Sequence, residues 1–516
     1  MRSLFRVKPL DRLLGETEQP GSRLKRSLGP FQLTSLGLGA IIGGGIFSTA
    51  GTAAAGGPGH LGAGPALIIS FMVVAVACSF AALCYAELAA MVPMAGSAYT
   101  YAYATLGELV AWILGWDLIL EYAIGNVAVA ISWSAYFQEL MRGLHCDWPT
   151  WLGTDFRSAV QAAHQVANAL GQHLDPATLG ATVLRDAQAW KEAPHVLGLP
   201  IIFNLPAFAV VAAITWILVI GIRETAWFNT ALVVIKLVII VFFLGMGVCY
   251  VRPENWTPFA PNGWAGISAA AAIIFFAYIG FDAVSTAAEE AKNPQRDLPI
   301  GIIASLIVST VVYMAVAVVL TGLEKWQRLG TAEPLAAVFS ERGLNWVAGV
   351  ISLGALVATT SVLVPFQVGQ SRIFFAMARD GLLPSWAARV HPRYGTPHVT
   401  TFWTGVVVAV FSAITNINEM VELCNIGTLL AFILVAVGVM ILRRTHADRP
   451  RPFRARWVPL VPIGAILCCG YLMAQLPAVT WRWFFYWLVA GLLLYAFYGV
   501  WHSRLRRDRP GSKPAK

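Results

Sequence analysis

The chain has 516 residues, of which 57% are hydrophobic and only 12% charged, about half the ~25% charged fraction of ordinary globular domains. Its 36 Lys and Arg against 27 Asp and Glu leave a formal net charge of +9. This composition excludes a cytosolic enzyme, a nucleic-acid binder and a disordered protein, and its apolar content suffices for twelve membrane spans of ~20 residues.

In chain order, residues 1–33 form a polar, basic tail without the short apolar run that a signal peptidase removes. Twelve apolar stretches follow, at roughly 34–57, 64–92, 105–137, 200–222, 226–250, 263–289, 298–322, 343–375, 398–417, 419–442, 457–478 and 482–502. The connections are short except 138–199, which is polar and carries Ala-rich segments at helical spacing between Ala159 and Leu170. We expect an external subdomain or a pair of surface helices there, with His145, His164, His173 and His195 solvated, since no pair has tight ligand spacing. Seven cysteines, six of them in or beside apolar runs, show no metal spacing and no disulfide framework. No metal or cofactor is expected. Residues 503–516 close the chain as a second basic tail.

The distribution of charge gives an orientation. With the N-terminus inside, 26 of the 36 Lys and Arg fall in cytoplasmic segments, among them Arg443, Arg444, Arg449, Arg451, Arg454 and Arg456. Nine fall outside, four of them in the long loop, where the bias carries less weight. The expectation is a multi-pass protein of the cell (inner, cytoplasmic) membrane with both termini cytoplasmic. Its basic loops would have some affinity for anionic lipid, and Tyr471, Trp481, Trp483, Trp487 and Trp501 read as an interfacial belt.

Two spans are interrupted. The first contains Ile41-Ile42-Gly43-Gly44-Gly45-Ile46-Phe47, and glycine costs about 1 kcal/mol relative to alanine at each helical position. The sixth contains Phe276-Ala277-Tyr278-Ile279-Gly280-Phe281-Asp282. Each interruption opens a set of five spans, which divides the chain into repeats at 34–250 and 251–442, with two further helices at 443–502. Corresponding interruptions in two halves point to a binding site at the breaks. Close helix packing at the glycines is the plainer alternative. Free amides at Gly44 and Gly45 suit a carboxylate, with Gly43 and Gly280 counted in the same candidate site, and unpaired carbonyls at Ile41, Phe276 and Ile279 suit an ammonium group. An α-amino acid satisfies both.

The string Ile41 to Phe47 resembles the G-x-G-[IV]-F signature of the amino acid–polyamine–organocation superfamily. Tyr85-Ala86-Glu87 through Val92-Pro93-Met94-Ala95-Gly96-Ser97-Ala98-Tyr99, Phe281-Asp282 through Glu289-Glu290-Ala291-Lys292-Asn293-Pro294, and Gly369-Gln370-Ser371-Arg372 through Arg379-Asp380-Gly381-Leu382-Leu383-Pro384 resemble its cationic amino acid transporter branch of prokaryotic type. The resemblance implies an all-α integral membrane protein with the LeuT-type 5+5 inverted repeat, broken helices 1 and 6, twelve transmembrane helices and alternating access. It implies a transported amino acid, with backbone contacts from Ile41, Gly44, Gly45, Phe276, Ala277 and Ile279 and with the Phe276 ring as a lid. Either a monomer or a complex with a small single-span subunit is compatible with it. The 138–199 loop departs from the compact prokaryotic pattern.

Ionisable groups in mid-span are costly and functional by default. Lys236 and Glu121 fall at the centres of the fifth and third stretches, and Asp117 precedes Glu121 by one turn. Asp282 follows the second break. Opposite charges at one depth invite a pair. Lys236 is read as a proton site coupled with Glu121 and Asp282, tying span 5 to the broken span 1 and to span 8 near Thr360 and Ser361. The resemblance supports this, since proton-coupled bacterial relatives place a lysine on that helix. The alternative is a permanent salt bridge of Lys236 with Glu121 or Asp282. Glu87, Glu289 and Glu290 read as gate carboxylates facing the basic loops. Gly43–Gly45 lacks the Lys-Ser/Thr of a phosphate cradle, so ATP-driven transport is not expected. Proton-coupled amino acid uptake is the leading expectation, with an exchanger or a non-transporting sensor as rivals. No acidic residue in the breaks awaits a cationic side chain, which favours neutral or broad substrate specificity.

Overall fold

The computed structural model describes residues 6–8, 28–57, 60–92, 97–146, 148–173, 175, 179, 181–196, 199–220, 226–392, 394 and 396–507. Among these, nine helical segments are long and apolar enough to cross a membrane, and three shorter apolar helices, Leu205–Ile220, His398–Ile414 and Leu460–Ala474, occupy the remaining predicted stretches. Helices dominate because hydrocarbon offers no water to an unpaired peptide group, so each segment must close its own hydrogen bonds.

The first helix, α1 (Pro30–Ile41), starts with Pro30 at its head and with the Gln32 side chain folded back to accept the Gly29 amide at 3.0 Å. After the break come a wide helical turn (Gly45–Thr49) and α2 (Ala50–Ala55). Next are α3 (Leu67–Met91) and the short α4 (Ser97–Thr105), which ends at Gly107 with φ of 95°. The third predicted stretch, 105–137, is therefore shifted. Its helix α5 runs Glu108–Gly143, 36 residues, or ~54 Å, well beyond the ~30 Å of hydrocarbon.

That overshoot seats the long insertion. Its two helices, α6 (Phe156–Gly171) and α7 (Ala181–Glu192), pack on each other around Ala159, Ala189, Ala193 and Ile202. Asp155 caps α6 by accepting the Ser158 amide at 2.9 Å. All four histidines of the loop are exposed.

The chain goes on with α8 (Leu205–Ile220) and α9 (Ala226–Val248), and then α10 (Gly263–Ile274). It continues with α11 (Pro294–Leu323), α12 (Pro334–Ser340), α13 (Asn345–Arg379), α14 (His398–Ile414) and α15 (Ile417–Thr445), and α16 (Leu460–Ala474) and α17 (Ala478–Leu494) complete the set. Helix α5 packs along α13 and α15, and α11 lies against α1 and α3. The most apolar windows of the two interrupted spans are 83% and 89% buried, against 22% for the last span. The breaks are thus central and α17 is peripheral.

Trp483 and Trp501 are exposed at the periphery as an interfacial belt requires. Trp487 is not free for that role. It stacks on Trp116 at 4.3 Å, and each indole N–H donates to the other's backbone carbonyl at 3.1 and 2.8 Å, so it joins α17 to α5.

Buried ion pairs fasten both ends. Glu87, 2% exposed, accepts Arg443 at 2.9 and 2.6 Å and the Ala455 amide at 2.9 Å, with Arg451 at 3.5 Å. This agrees with the expected contact between Glu87 and a basic loop. Glu290 instead offers its backbone carbonyl to the Leu28 amide, and the Glu289 side chain lies outside the described residues. At the opposite end Glu333, just before α12, receives Arg142 of α5 at 3.3 Å and Arg185 of α7 at 3.6 Å. Arg157 of α6 pairs with Glu419 of α15, and Asn416 donates to the Ser158 hydroxyl at 2.6 Å. The insertion is therefore tied to the spans α5 and α15 and to the connection that carries Glu333.

Replacing Arg185 with alanine leaves Glu333 with Arg142 alone. Amide exchange across α7 should accelerate by about fivefold, the equivalent of ~1 kcal/mol for a partly exposed ion pair. Unchanged protection of residues 181–192 by hydrogen-exchange mass spectrometry would remove the tether.

Candidate functional site

A helix broken inside the membrane strands the carbonyls of its last turn, and at the first break those of Leu38, Gly39, Ile41 and Ile42 each have a partner. The Leu38 carbonyl accepts the Ile42 amide at 2.9 Å. Gly39 and Ile42 carbonyls accept the Lys236 ammonium at 2.6 and 2.8 Å, and the Ile41 carbonyl accepts the Tyr313 hydroxyl at 2.9 Å. Lys236 is fully buried. A cation at the negative end of α1 is favourable by roughly 0.3–2 kcal/mol, and hydrogen bonds from a charged donor are about twice as strong as neutral ones.

The second break is a succession of tight turns. Helix α10 ends at Ile274, Phe275–Tyr278 tightens, Ile279 is extended, and Gly280 adopts φ of 125° before the narrow helical segment Phe281–Glu290. Here the Ala277 carbonyl stands 2.9 Å from the same Tyr313 hydroxyl, whose single proton it shares with the Ile41 carbonyl. The Phe276 carbonyl accepts the Ile279 amide at 3.3 Å, and Asn425 of α15 donates to the carbonyls of Ala272 and Ile273 at 2.7 and 3.1 Å.

The two breaks touch. A Cβ on Gly45 would stand 2.3 Å from the Ala277 Cα, and one on Gly280 would stand 2.8 Å from the Ala40 carbonyl carbon. Only glycine permits this approach, and Gly280 also needs its positive φ. Gly43 faces Val362 of α13, and Gly44 faces Val129 of α5. Phe276 is buried beside them. The side chains that meet Gly43 and Gly44 are therefore apolar.

The sequence-derived residues divide into two groups. Ile41, Gly43, Gly44, Gly45, Phe276, Ala277, Ile279 and Gly280 come together with Lys236. Glu121 and Asp282 do not pair with Lys236, for among the described residues all its hydrogen-bond partners are backbone carbonyls and no ion pair reaches it. A shared depth fixes position along the membrane normal but not around each helix. Lys236 faces α1, whereas the face carrying Asp117 and Glu121 looks toward α15. The Cys424 thiol donates to the Glu121 carbonyl at 3.5 Å, and a Cβ on Gly427 would lie 2.6 Å from Asp117 Oδ1. Both Asp117 carboxylate oxygens and Glu121 Oε2 are buried without a hydrogen-bond partner among the described residues. Asp282 lies in the first turn of the segment after the second break.

Thr360 and Ser361 also act locally. Thr360 donates to the Leu356 carbonyl at 2.7 Å and accepts the Trp133 indole at 3.0 Å, while Ser361 donates to Ala358 at 2.7 Å. Span 8 meets the break through Val362 instead.

Tyr313 and Asn425 were not singled out from the sequence. Each is a lone strong polar group in mid-run, at Ser309-Thr310-Val311-Val312-Tyr313 and Cys424-Asn425-Ile426-Gly427. A tyrosine away from the ends of its span was the available signal, since interfacial tyrosines sit at the ends. Tyr136, next to the end of the predicted stretch 105–137 and so without that signal, also donates to the Phe47 carbonyl just past the first break.

Comparison with known proteins gives a consistent result. Residues 28–497 match a family model described as amino acid permease. The branched-chain amino acid permease BcaP of Bacillus subtilis (strain 168) is 44% identical over 98% of this chain and 99% of its own length. The methylthioribose transporter of the same organism is 42% identical over 98% of this chain and 100% of its own length. Cationic amino acid transporter 4 of Mus musculus is 34% identical over 87% of this chain and 64% of its own length. All are permeases or transporters, none an enzyme.

Tyr313→Phe deletes the one hydroxyl shared by both breaks and strips a donor from two buried carbonyls. It should destabilise the protein by about 1–3 kcal/mol, read as a lower unfolding temperature of the purified protein. An unchanged unfolding temperature would mean the hydroxyl does not join the breaks.

Proposed function

Because the chain belongs to the amino acid permease family, we propose that it is a secondary active transporter importing amino acids by proton-coupled symport with alternating access. Twelve spans in two five-helix repeats plus two helices, with both termini cytoplasmic, form the frame of this reading. The three shorter apolar helices and the Lys and Arg bias support it.

The observation that carries the proposal is the pair of hydrogen bonds from Lys236 to Gly39 and Ile42. A protonated Lys236 grips the end of α1 through charge-assisted bonds. Loss of the proton removes that charge and loosens the grip on the broken helix, which frees it to move relative to α9. The substrate carboxylate would lie on the amides of Gly43, Gly44 and Gly45, and its ammonium on carbonyls of Ile41, Phe276, Ala277 and Ile279. The carbonyls already bonded to Tyr313 or to Ile279 keep a second lone pair for this. Glu121 and Asp282 serve as acidic stations for the proton rather than as partners of Lys236, and Thr360 and Ser361 shape the neighbouring wall.

Val129, Val362 and Phe276 around the break amides favour a neutral, apolar side chain over a cationic one. The name of the 44%-identical Bacillus permease agrees with that choice.

In proteoliposomes, an inward proton gradient should drive accumulation of a neutral amino acid into substrate-free vesicles, and Lys236→Ala should abolish it. Uptake that needs a pre-loaded amino acid would identify an exchanger, and binding without flux a sensor. Retained proton-driven accumulation in Lys236→Ala would sink the coupling role. Thermal stabilisation of the purified protein by each of the twenty amino acids, and by methylthioribose, should rank branched neutral residues first.

A further inference from the structure

A groove of about 580 Å³ runs along the outer face of α11, away from the breaks. One wall is the helix itself, from Gln295 and Arg296 through Pro299, Ile300, Ile303 and Ala304 to Ile307. The other wall is Pro452 and Phe453, from the segment that follows α15. Arg296, Ile300, Ile303 and Ile307 recur at helical spacing and so share one face. Ile300 and Ile307 are 40% and 58% exposed, although α11 is a membrane span.

The groove has one polar end and one apolar end. Arg296 is exposed, and its guanidinium makes no hydrogen bond or ion pair with any described residue. Its acidic neighbour Asp297 is buried and accepts the Asn293 amide at 3.2 Å, and no acidic residue lines the groove. Beyond Phe453 the chain adds exposed Arg454 and Arg456, then Trp457 at 78% exposure. A tryptophan so placed marks the headgroup level. From Arg296 to Ile307 the helix rises ~17 Å, close to half of the ~30 Å hydrocarbon thickness. A cation at the mouth and one leaflet's depth of apolar wall below it describe a phospholipid.

We infer that this groove binds a single anionic phospholipid, with its phosphate on Arg296 and one acyl chain laid along Pro299, Ile303, Ala304 and Ile307. Basic pockets beside membrane helices take acidic headgroups in this way. The acyl chain gains little by leaving bulk lipid for the groove, because both surroundings are apolar. Preference over other lipids therefore comes from charge, and the groove's shape holds the headgroup in register with Arg296. Occupancy also splints α11 to the 452–453 segment, which is anchored next door by the contact of Ala455 with Glu87. The site is independent of the transport reading, since it shares no residue with the breaks.

Native mass spectrometry of the full chain in detergent, titrated with dioleoyl phosphatidylglycerol and with dioleoyl phosphatidylcholine, tests it. Phosphatidylglycerol should bind at least about fivefold more tightly than phosphatidylcholine, and Arg296→Gln should erase about fivefold of that, the ratio for one surface charge. Ala304→Trp, which fills the chain-binding wall, should reduce binding of phosphatidylglycerol while Arg296 is intact. Unfolding temperature serves as the control that each variant is folded, and the Arg296→Gln comparison decides alone if the tryptophan variant is not. Equal affinities for the two lipids in the unaltered protein, or no effect of Arg296→Gln, would overturn the assignment. So would inorganic phosphate competing as well as the lipid, or a lipid-free dimer that covers the groove.

Discussion

Everything near the centre of this molecule follows from carbonyl groups that have no water to turn to. In a continuous transmembrane helix the backbone satisfies itself, but a break orphans the last-turn carbonyls in a medium where each costs several kcal/mol. The chain answers with side chains from neighbouring helices. Lys236 from α9, Tyr313 from α11 and Asn425 from α15 each reach a carbonyl at one of the breaks. The interruptions are thereby stabilised without closing them into regular helix.

These donors differ in kind, and the difference organises the site. Tyr313 and Asn425 are neutral and hold what they hold at any pH that a cell meets. Lys236 is the donor whose strength depends on a proton. The charged donor meets the first break alone, while the neutral donor Tyr313 spans both; on the proposed reading a change of charge at Lys236 would act on one helix while the connection between the two persists. Glycine supplies the remaining condition. Gly45 against Ala277 and Gly280 against Ala40 bring the backbones into contact, while Gly44 and Gly43 meet the side chains of Val129 and Val362.

Much of this was legible in the sequence, for identifiable reasons. Apolar runs locate spans because transfer into lipid is a property of composition. Gly43–Gly45 and the stretch ending in Gly280 locate the breaks because glycine runs are poor helix anywhere. Lys236 stood out because one lysine in an apolar run has a large, context-free cost. Lateral relations were not legible. Lys236 and Glu121 share a depth, yet one faces α1 and the other α15, since the azimuth of a side chain depends on how helices are arranged around one another. The same holds for Trp487, whose composition suggests an interface while its position places it against Trp116. Helix α5 outran its apolar segment for a further reason: beyond the lipid its continuation is supported by packing of the insertion, which hydropathy does not register.

The insertion carries a consequence of a different sort. Its two helices form a compact polar block on an otherwise lipid-covered molecule, fixed to α5 by the chain, to the start of α12 through Glu333 and to α15 through Glu419. A block held at three points, two of them on the membrane spans α5 and α15 and the third on the connection between α11 and α13, is a natural caliper. Fluorophores or spin labels on it, or an antibody fragment raised against it, would convert relative displacements of those segments into readable distances without touching the lipid-facing surface. The same block gives a small, otherwise featureless membrane protein the fiducial mass that electron cryomicroscopy needs for particle alignment.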